Sequence, residues 1–373
     1  MTESTNVKED IDIENNKSEL EADNIEPFDS TKIRVDTRPI TIDLVLKRIK
    51  YDEIDLAPDF QRHANIWTNE AKSRLIESIL IRIPLPAFYM YASDDDKWLV
   101  IDGIQRLSTL KKFVIDNELI LSGLEYLKDL NGKKYSELSR SYQRRIEETV
   151  LTIYLIEKGT PPEVQFNAFR RINTGGLSLS NQELRHALTQ GKMKFFLDKL
   201  ASCEEFKKTT KISKKRIDRM EDHEFILGFI GFTLTHYTDY PSKKGRDFFL
   251  YETMQKLCCI SDEDKNNIHE QFKGAMKAAI DIFDKNSFRK PGLTSNNQKY
   301  PVNKALFECW SVTLSKLSPQ QIDILKQKKE LLNQVFIEYI EEDYEFEKSI
   351  SQAANKVKYR FKVIKEIVDK VLS

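Results

Sequence analysis

Hydrophobic periodicity changes character once along this chain, near residue 160, and that change limits the fold more than any single motif. Before it, strand-like and helix-like segments alternate. "KIRVDTRPI" is extended; "TIDLVLKRIKY" sets Ile42, Leu44, Val45, Leu46 and Ile49 near helical spacing behind a Thr41 cap; "EIDLAPDFQR" is a short strand ending in a turn. "TNEAKSRLIESILIRI" predicts a helix capped by Thr68, with Leu75, Ile76, Ile79 and Leu80 on its apolar face and a stop at Pro84 and Pro86. "AFYMYAS" and "KWLVID" are strands joined by an acidic turn. An arginine-rich helix at 140–148 leads to the strand "VLTIYLIE". Hairpin-like strands among helices predict an α+β domain rather than regular βαβ units.

Beyond residue 160 strand signals nearly vanish. "PPEVQFNAFRRI" and "SNQELRHALTQG" flank the polar turn "NTGGLSL", and helices come at about 192–207, 221–237, 246–258, 262–285, 302–316, 319–340 and 351–372. Two starts are legible in detail: Ser261 with Asp264, and "SPQQ", with Ser318 as N-cap, Pro319 at N1 and Gln321 at N3. With 373 residues, enough for about two domains, the expected layout is a mixed domain at 31–160 and a helical domain at 161–373.

Residues 1–30 are set apart by charge. They hold ten acidic side chains against Lys8 and Lys17, so the net charge of zero conceals a leader at −8 and a body at +8. An acidic, aromatic-poor segment buries too little apolar surface to offset its ordering entropy, and it is expected to be disordered. Its polar start resembles no secretory signal, and the longest nearly unbroken apolar run, "FILGFIGFTL", is about half of a membrane span. A cytoplasmic protein without a membrane span is expected. Cys203, Cys258, Cys259 and Cys309 lack paired C-x-x-C spacing, which favours free thiols.

One stretch stands out chemically, "VIDGIQRLSTLKK" at 100–112. Its structural reading is a capped helix start, with Asp102 as N-cap, Gln105 three residues on, and Leu107, Leu110, Phe113 and Val114 as an apolar stripe. Its functional reading starts from the same turn. A strand entering a helix at Gly103 presents free amides at the positive end of the helix, without a Cβ to obstruct an anion. Arg106 adds a fork for phosphate, and Asp102 a carboxylate oxygen for Mg²⁺.

Two further polar turns carry the same ambiguity. "PDFQRHANIW" places Gln61 and Arg62 after a short strand. "FRRINTGGLSLSNQELRHAL" joins Asn173 and Thr174 in a glycine-rich turn to Glu183 and Arg185 in the first turn of a helix, where Ser180 and Glu183 also fit a capping box. The basic run 207–219 has seven Lys or Arg against Asp218, a solvated face or a nucleic-acid contact.

"PDFQR…W", "IPLPAFYMY", "VIDGIQRLSTL", "FRRINTGGLSLSNQELRHAL", "RMEDHEF" and "VKYRFKVIKEIV" together, in this order over roughly residues 35–373, resemble the family that forms the N-terminal part of GmrSD-type restriction enzymes. The resemblance implies a ParB/sulfiredoxin-like α+β domain followed by helices, in nucleotide-dependent defence against phage or modified DNA. It implies an Asp-Gly-Gln-Gln-Arg signature tied to binding and hydrolysis of a nucleoside triphosphate. That signature carries over to Asp102, Gly103, Gln105 and Arg106, and the family's Gln-Arg turn to Gln61 and Arg62; Asp102, Gln105 and Arg106 are the candidate catalytic residues, Gly103, Arg106, Gln61 and Arg62 candidate binding residues, and the glycine-rich polar turn adds Asn173, Thr174, Glu183 and Arg185 as further binding candidates.

The sequence departs from the signature at Ile104, where the family has Gln; backbone binding of phosphate survives that exchange, whereas an amide that positions a water does not. His63, His186, His223, His236 and His269 are scattered, with no arrangement of the nuclease module that larger members carry. The expected function is a nucleotide-binding regulatory or sensor component of a defence system, with ATP, GTP or CTP and Mg²⁺ as ligands, a separately encoded effector such as a nuclease as partner, and hydrolysis and self-association left open. The alternative is a non-enzymatic DNA-binding or scaffolding module.

Overall fold

A computed structural model describes residues 34–56, 67–92, 97–157, 159–161, 164, 168–169, 171–172, 180–189, 193–292, 299–351 and 356–373. The acidic leader, the acidic turn between the two central strands, and the turns holding Gln61, Arg62, Asn173 and Thr174 lie outside the described residues. The chain divides into two compact units, Phe28–Gln190 and Gly191–Ser373. The first therefore runs past residue 160, where the change in periodicity had set a boundary.

Five strands form one sheet in the first unit: β1 (Val35–Thr41), β2 (Ile54–Asp55), β3 (Phe88–Ala92), β4 (Trp98–Asp102) and β5 (Val150–Ile156), in the order β1-β5-β3-β4-β2. The β3–β4 pair is antiparallel, as a hairpin requires, and β1 pairs antiparallel with β5. The expectation of hairpin-like strands alone does not hold, because β5 lies parallel to β3 and β2 parallel to β4. Parallel neighbours need crossovers, which the intervening helices supply.

Helices α1 (Ile42–Lys50), α2 (Asn69–Leu80), α3 (Ile104–Leu110) and α4 (Arg140–Glu148) start where local chemistry permits. The Thr41 hydroxyl accepts from the Leu44 amide at 3.4 Å and that of Thr68 from Ala71 at 3.2 Å. One sheet face buries Phe88, Met90, Trp98, Val100, Leu151, Ile153 and Leu155 with Ile42, Val45, Ile76, Ile79, Leu107 and Ile146. The alternation of each strand turns Ile101 and Ile156 to the other face, where they meet Phe169 and Leu184. Leu184 belongs to α5 (Asn181–Leu188), so this helix covers the second face beside the end of β4.

The second unit is helical among its described residues. Lys194–Ala201, Glu204–Thr210, Glu221–Leu234, Gly245–Leu257, Asp262–Phe283, Lys304–Ser315 and Val357–Leu372 share one apolar core. The run "FILGFIGFTL" falls inside Glu221–Leu234, a helix buried nearly all round. Two expected long helices are broken, at Cys203 and at Lys328. Ser318 and Gln321 form the expected capping box, 3.2 and 2.9 Å. No described helix is long and apolar enough to cross a membrane.

Candidate functional site

The chain leaves β4 through an irregularity. Tyr89 pairs with Asp102 but Met90 with Val100, so Ile101 is an extra residue in the ladder, and such a bulge re-aims the residues beyond it. Next comes Gly103, with φ +105°, as N-cap of α3. This left-handed conformation suits glycine, and so does the surrounding space: a Cβ here would collide with Cδ1 of Phe88. The expectation that a missing Cβ opens the turn to an anion is thereby corrected. The vacated space holds the Phe88 ring.

Asp102 is also not the N-cap. It ends β4, and its Oδ2 accepts from Arg106 Nη2 at 2.8 Å, one helical turn on. The same guanidinium donates to the carbonyl oxygens of Pro86 and Ala87 and stacks 4.2 Å over the Phe88 ring. Burial pushes the Arg106 pKa down while Asp102 opposes the shift. Arg106 therefore ties the first turn of α3 to the entrance of β3, and its donors are directed inward rather than toward a ligand.

Two features of the turn remain open to chemistry. The amide of Leu107 closes the first helical bond on the Gly103 carbonyl at 2.9 Å, and Gly103 has no side chain with which to cap the amides of Ile104, Gln105 and Arg106. In addition, Oε1 of Gln105 is buried with no hydrogen-bond partner. Asp102 keeps Oδ1 beside the Arg106 contact, one oxygen for a cation that also binds phosphate. Among the described residues, no three His, Cys, Asp or Glu side chains are placed to hold a metal ion.

Ile104 is 9% exposed and belongs to the main core. A glutamine at this position would bury its amide at a cost of about 1–3 kcal/mol unless it found partners. This chain has answered that site with apolar packing.

On α5, Glu183 is buried and accepts from the Ser180 amide, while the Ser180 hydroxyl accepts from the Glu183 amide at 3.1 Å. Glu183 thus takes part in the capping box that the sequence also allowed. Arg185 is fully buried and donates to Gln182 Oε1 at 2.7 Å. Leu184 and Ile101 share one apolar cluster, so α5 covers the sheet face to which Ile101 turns.

In the basic run, Lys207, Lys208, Lys211, Lys214 and Lys215 are exposed, whereas Arg216 is tied to Glu221. Sequence reasoning missed Glu77, which is 3% exposed on α2 and accepts from three successive amides, Glu125 at 3.0 Å, Tyr126 at 2.7 Å and Leu127 at 2.8 Å. The signal that could have found it was a carboxylate inside the apolar stripe Ile76, Ile79 and Leu80.

Fold and turn together define a mixed α+β domain built around a strand-to-helix Asp-Gly-x-Gln-Arg connection. Residues 42–190 match the family model described as GmrSD restriction endonuclease, N-terminal domain. The match ends at Gln190, where the first compact unit also ends, and it relates that unit to restriction-type, defence-related proteins. A search among curated proteins finds no match to the chain.

Proposed function

We propose that this protein is the nucleotide-binding regulatory or sensor component of a prokaryotic restriction-type defence system, working with a separately encoded effector such as a nuclease. The observation that carries the reading is the buried, unpartnered Oε1 of Gln105, a residue of the same first turn whose three amides lack a side-chain cap. An unmet buried acceptor costs about 1–3 kcal/mol, and a ligand hydroxyl or amino group would relieve it. Amides at a helix start favour the oxygens of a phosphate. In this reading Asp102 Oδ1 meets a Mg²⁺ carried by the phosphates, and Arg106 positions the turn instead of gripping the ligand. Binding does not depend on Ile104; hydrolysis would need a water-orienting group from elsewhere. The DNA-binding alternative draws only on exposed lysines, which a solvated face explains equally well.

Heating the full chain with ATP, GTP or CTP and Mg²⁺ tests the reading. A ligand at about 100 times its Kd adds roughly 2.7 kcal/mol to stability, a clear rise in Tm for one of the three. If none raises Tm and calorimetry detects no heat of binding, the nucleotide reading is wrong. Arg106→Ala is a poor probe of contact, since it also releases Pro86, Ala87 and Asp102.

A further inference from the structure

The bulge that sets Asp102 opposite Tyr89 also joins the turn to an aromatic pair. Tyr89 of β3 lies between Asp102 of β4 and Tyr154 of β5, and Tyr154 lies beside Thr37 of β1, so Asp102, Tyr89, Tyr154 and Thr37 form one row across four strands. Side chains directly opposite each other share a face of the sheet. Phe88, Met90, Ile153 and Leu155 point into the main core, so the row stands on the opposite face, with Ile101 and Ile156.

The rings of Tyr89 and Tyr154 are stacked, their centroids 5.2 Å apart and their planes 30° from parallel. Tyr89 packs on the small apolar cluster of Ile101, Ile156, Phe169 and Leu184. Tyr154 belongs to none of the apolar clusters of the described residues and is partly exposed, and its next cross-strand neighbour, Thr37, is short and exposed. A partly exposed ring, backed by a second ring and held by a sheet, offers a flat ligand a surface on which to stack. Neighbouring strands lie about 4.8 Å apart, which puts Tyr154 about 10 Å from Asp102 along the row. A nucleotide spans a comparable length between its phosphates and its base.

We infer that Tyr154, backed by Tyr89, stacks on the base of the nucleotide whose phosphates meet the amides that open α3. This rests on the nucleotide-binding reading and adds the place of the base. Every base has a π-face, so such a ring holds a nucleotide without selecting among bases, and the choice among ATP, GTP and CTP falls to other groups. Inorganic triphosphate, which carries no base, gains nothing from the ring.

Isothermal titration of the full chain with ATP, GTP, CTP and inorganic triphosphate tests the inference on wild type, Tyr154→Phe and Tyr154→Val. Valine suits a strand; if that variant does not fold, Tyr154→Leu takes its place. Tyr154→Val is expected to weaken the nucleotide that binds wild type about 5- to 100-fold, the loss of one base–aromatic stack, and to leave inorganic triphosphate unchanged. Tyr154→Phe, which keeps the ring, should bind as wild type does. A nucleotide that Tyr154→Val binds at full strength overturns the stacking role and leaves the nucleotide reading standing. Equal weakening of nucleotide and inorganic triphosphate also overturns it, because it marks a tyrosine that only steadies the sheet. Binding lost in Tyr154→Phe overturns it too, since the hydroxyl and not the ring then makes the contact. If wild type binds no nucleotide, the stacking role and the nucleotide reading fall together.

Discussion

Glu308→Ala is expected to destabilise the helical unit by about 3–5 kcal/mol, the cost of removing one partner from a buried ionic network. Glu308 is 1% exposed and Arg360 fully buried. Oε1 accepts from Arg246 Nε at 3.0 Å and Nη2 at 2.8 Å, and Oε2 accepts from Arg360 Nη2 at 2.9 Å. Arg246 also donates to Glu224, which Lys304 approaches in turn. Burial alone would lower the Arg246 pKa, but Glu308 and Glu224 outweigh it and hold the guanidinium well above its ordinary value. Without Glu308, Arg246 keeps Glu224 as its carboxylate while the buried Arg360 guanidinium loses its Glu308 contact in a medium that solvates it poorly. The surroundings are shaped to this carboxylate, since a Cβ on Gly228 would come 2.7 Å from its Oε1. For a unit of this size the loss is roughly 6–20 °C in Tm. A thermal melt that moves by less than about 2 °C would mean that water already reaches these charges.

Glu77→Ala is expected to cost about 3–4 kcal/mol in the sheet-bearing unit, because it leaves the amides of Glu125, Tyr126 and Leu127 without their acceptor. The same contact predicts a pH dependence. Burial pushes the Glu77 carboxyl up, but the three amides and Arg74 together hold it below the usual carboxylate range. A carboxyl whose folded pKa lies below its unfolded value contributes its full stability above the unfolded pKa, and loses it as pH falls through the folded one. Denaturant midpoints between pH 7 and pH 3 should therefore fall more steeply in wild type than in Glu77→Gln. Parallel curves would show that the carboxylate's charge contributes nothing to holding this loop.

Helix starts were legible because a cap is a local event. Thr41, Thr68, Ser261 and Ser318 each accept from an amide three residues on, within reach of a short-range pattern. Asp102 failed for an instructive reason: a spacing that permits a cap also permits an i,i+4 pair with arginine, and the bulge at Ile101 decided for the pair. Parallel partners of β3 and β4 were not legible, since pairing across a crossover leaves no mark on either strand alone. At the site, Gly103 stood out as a position that needs no Cβ, but the sequence did not show that the Phe88 ring fills the space a Cβ would take. The buried carboxylates left a readable trace, Glu308 inside the apolar run "ALFECWSV", but their partners Arg246 and Arg360 lie too far away in sequence to be inferred.

The central claim is that the amides opening α3 meet a nucleotide's phosphate. Hydrogen–deuterium exchange at Ile104, Gln105 and Arg106, with and without a saturating nucleoside triphosphate and Mg²⁺, tests it most directly. Amides without a side-chain cap should exchange quickly in the free protein, and slow at least tenfold when phosphate oxygens accept from them. Saturation confirmed by calorimetry, with exchange at these three positions unchanged, would contradict the account.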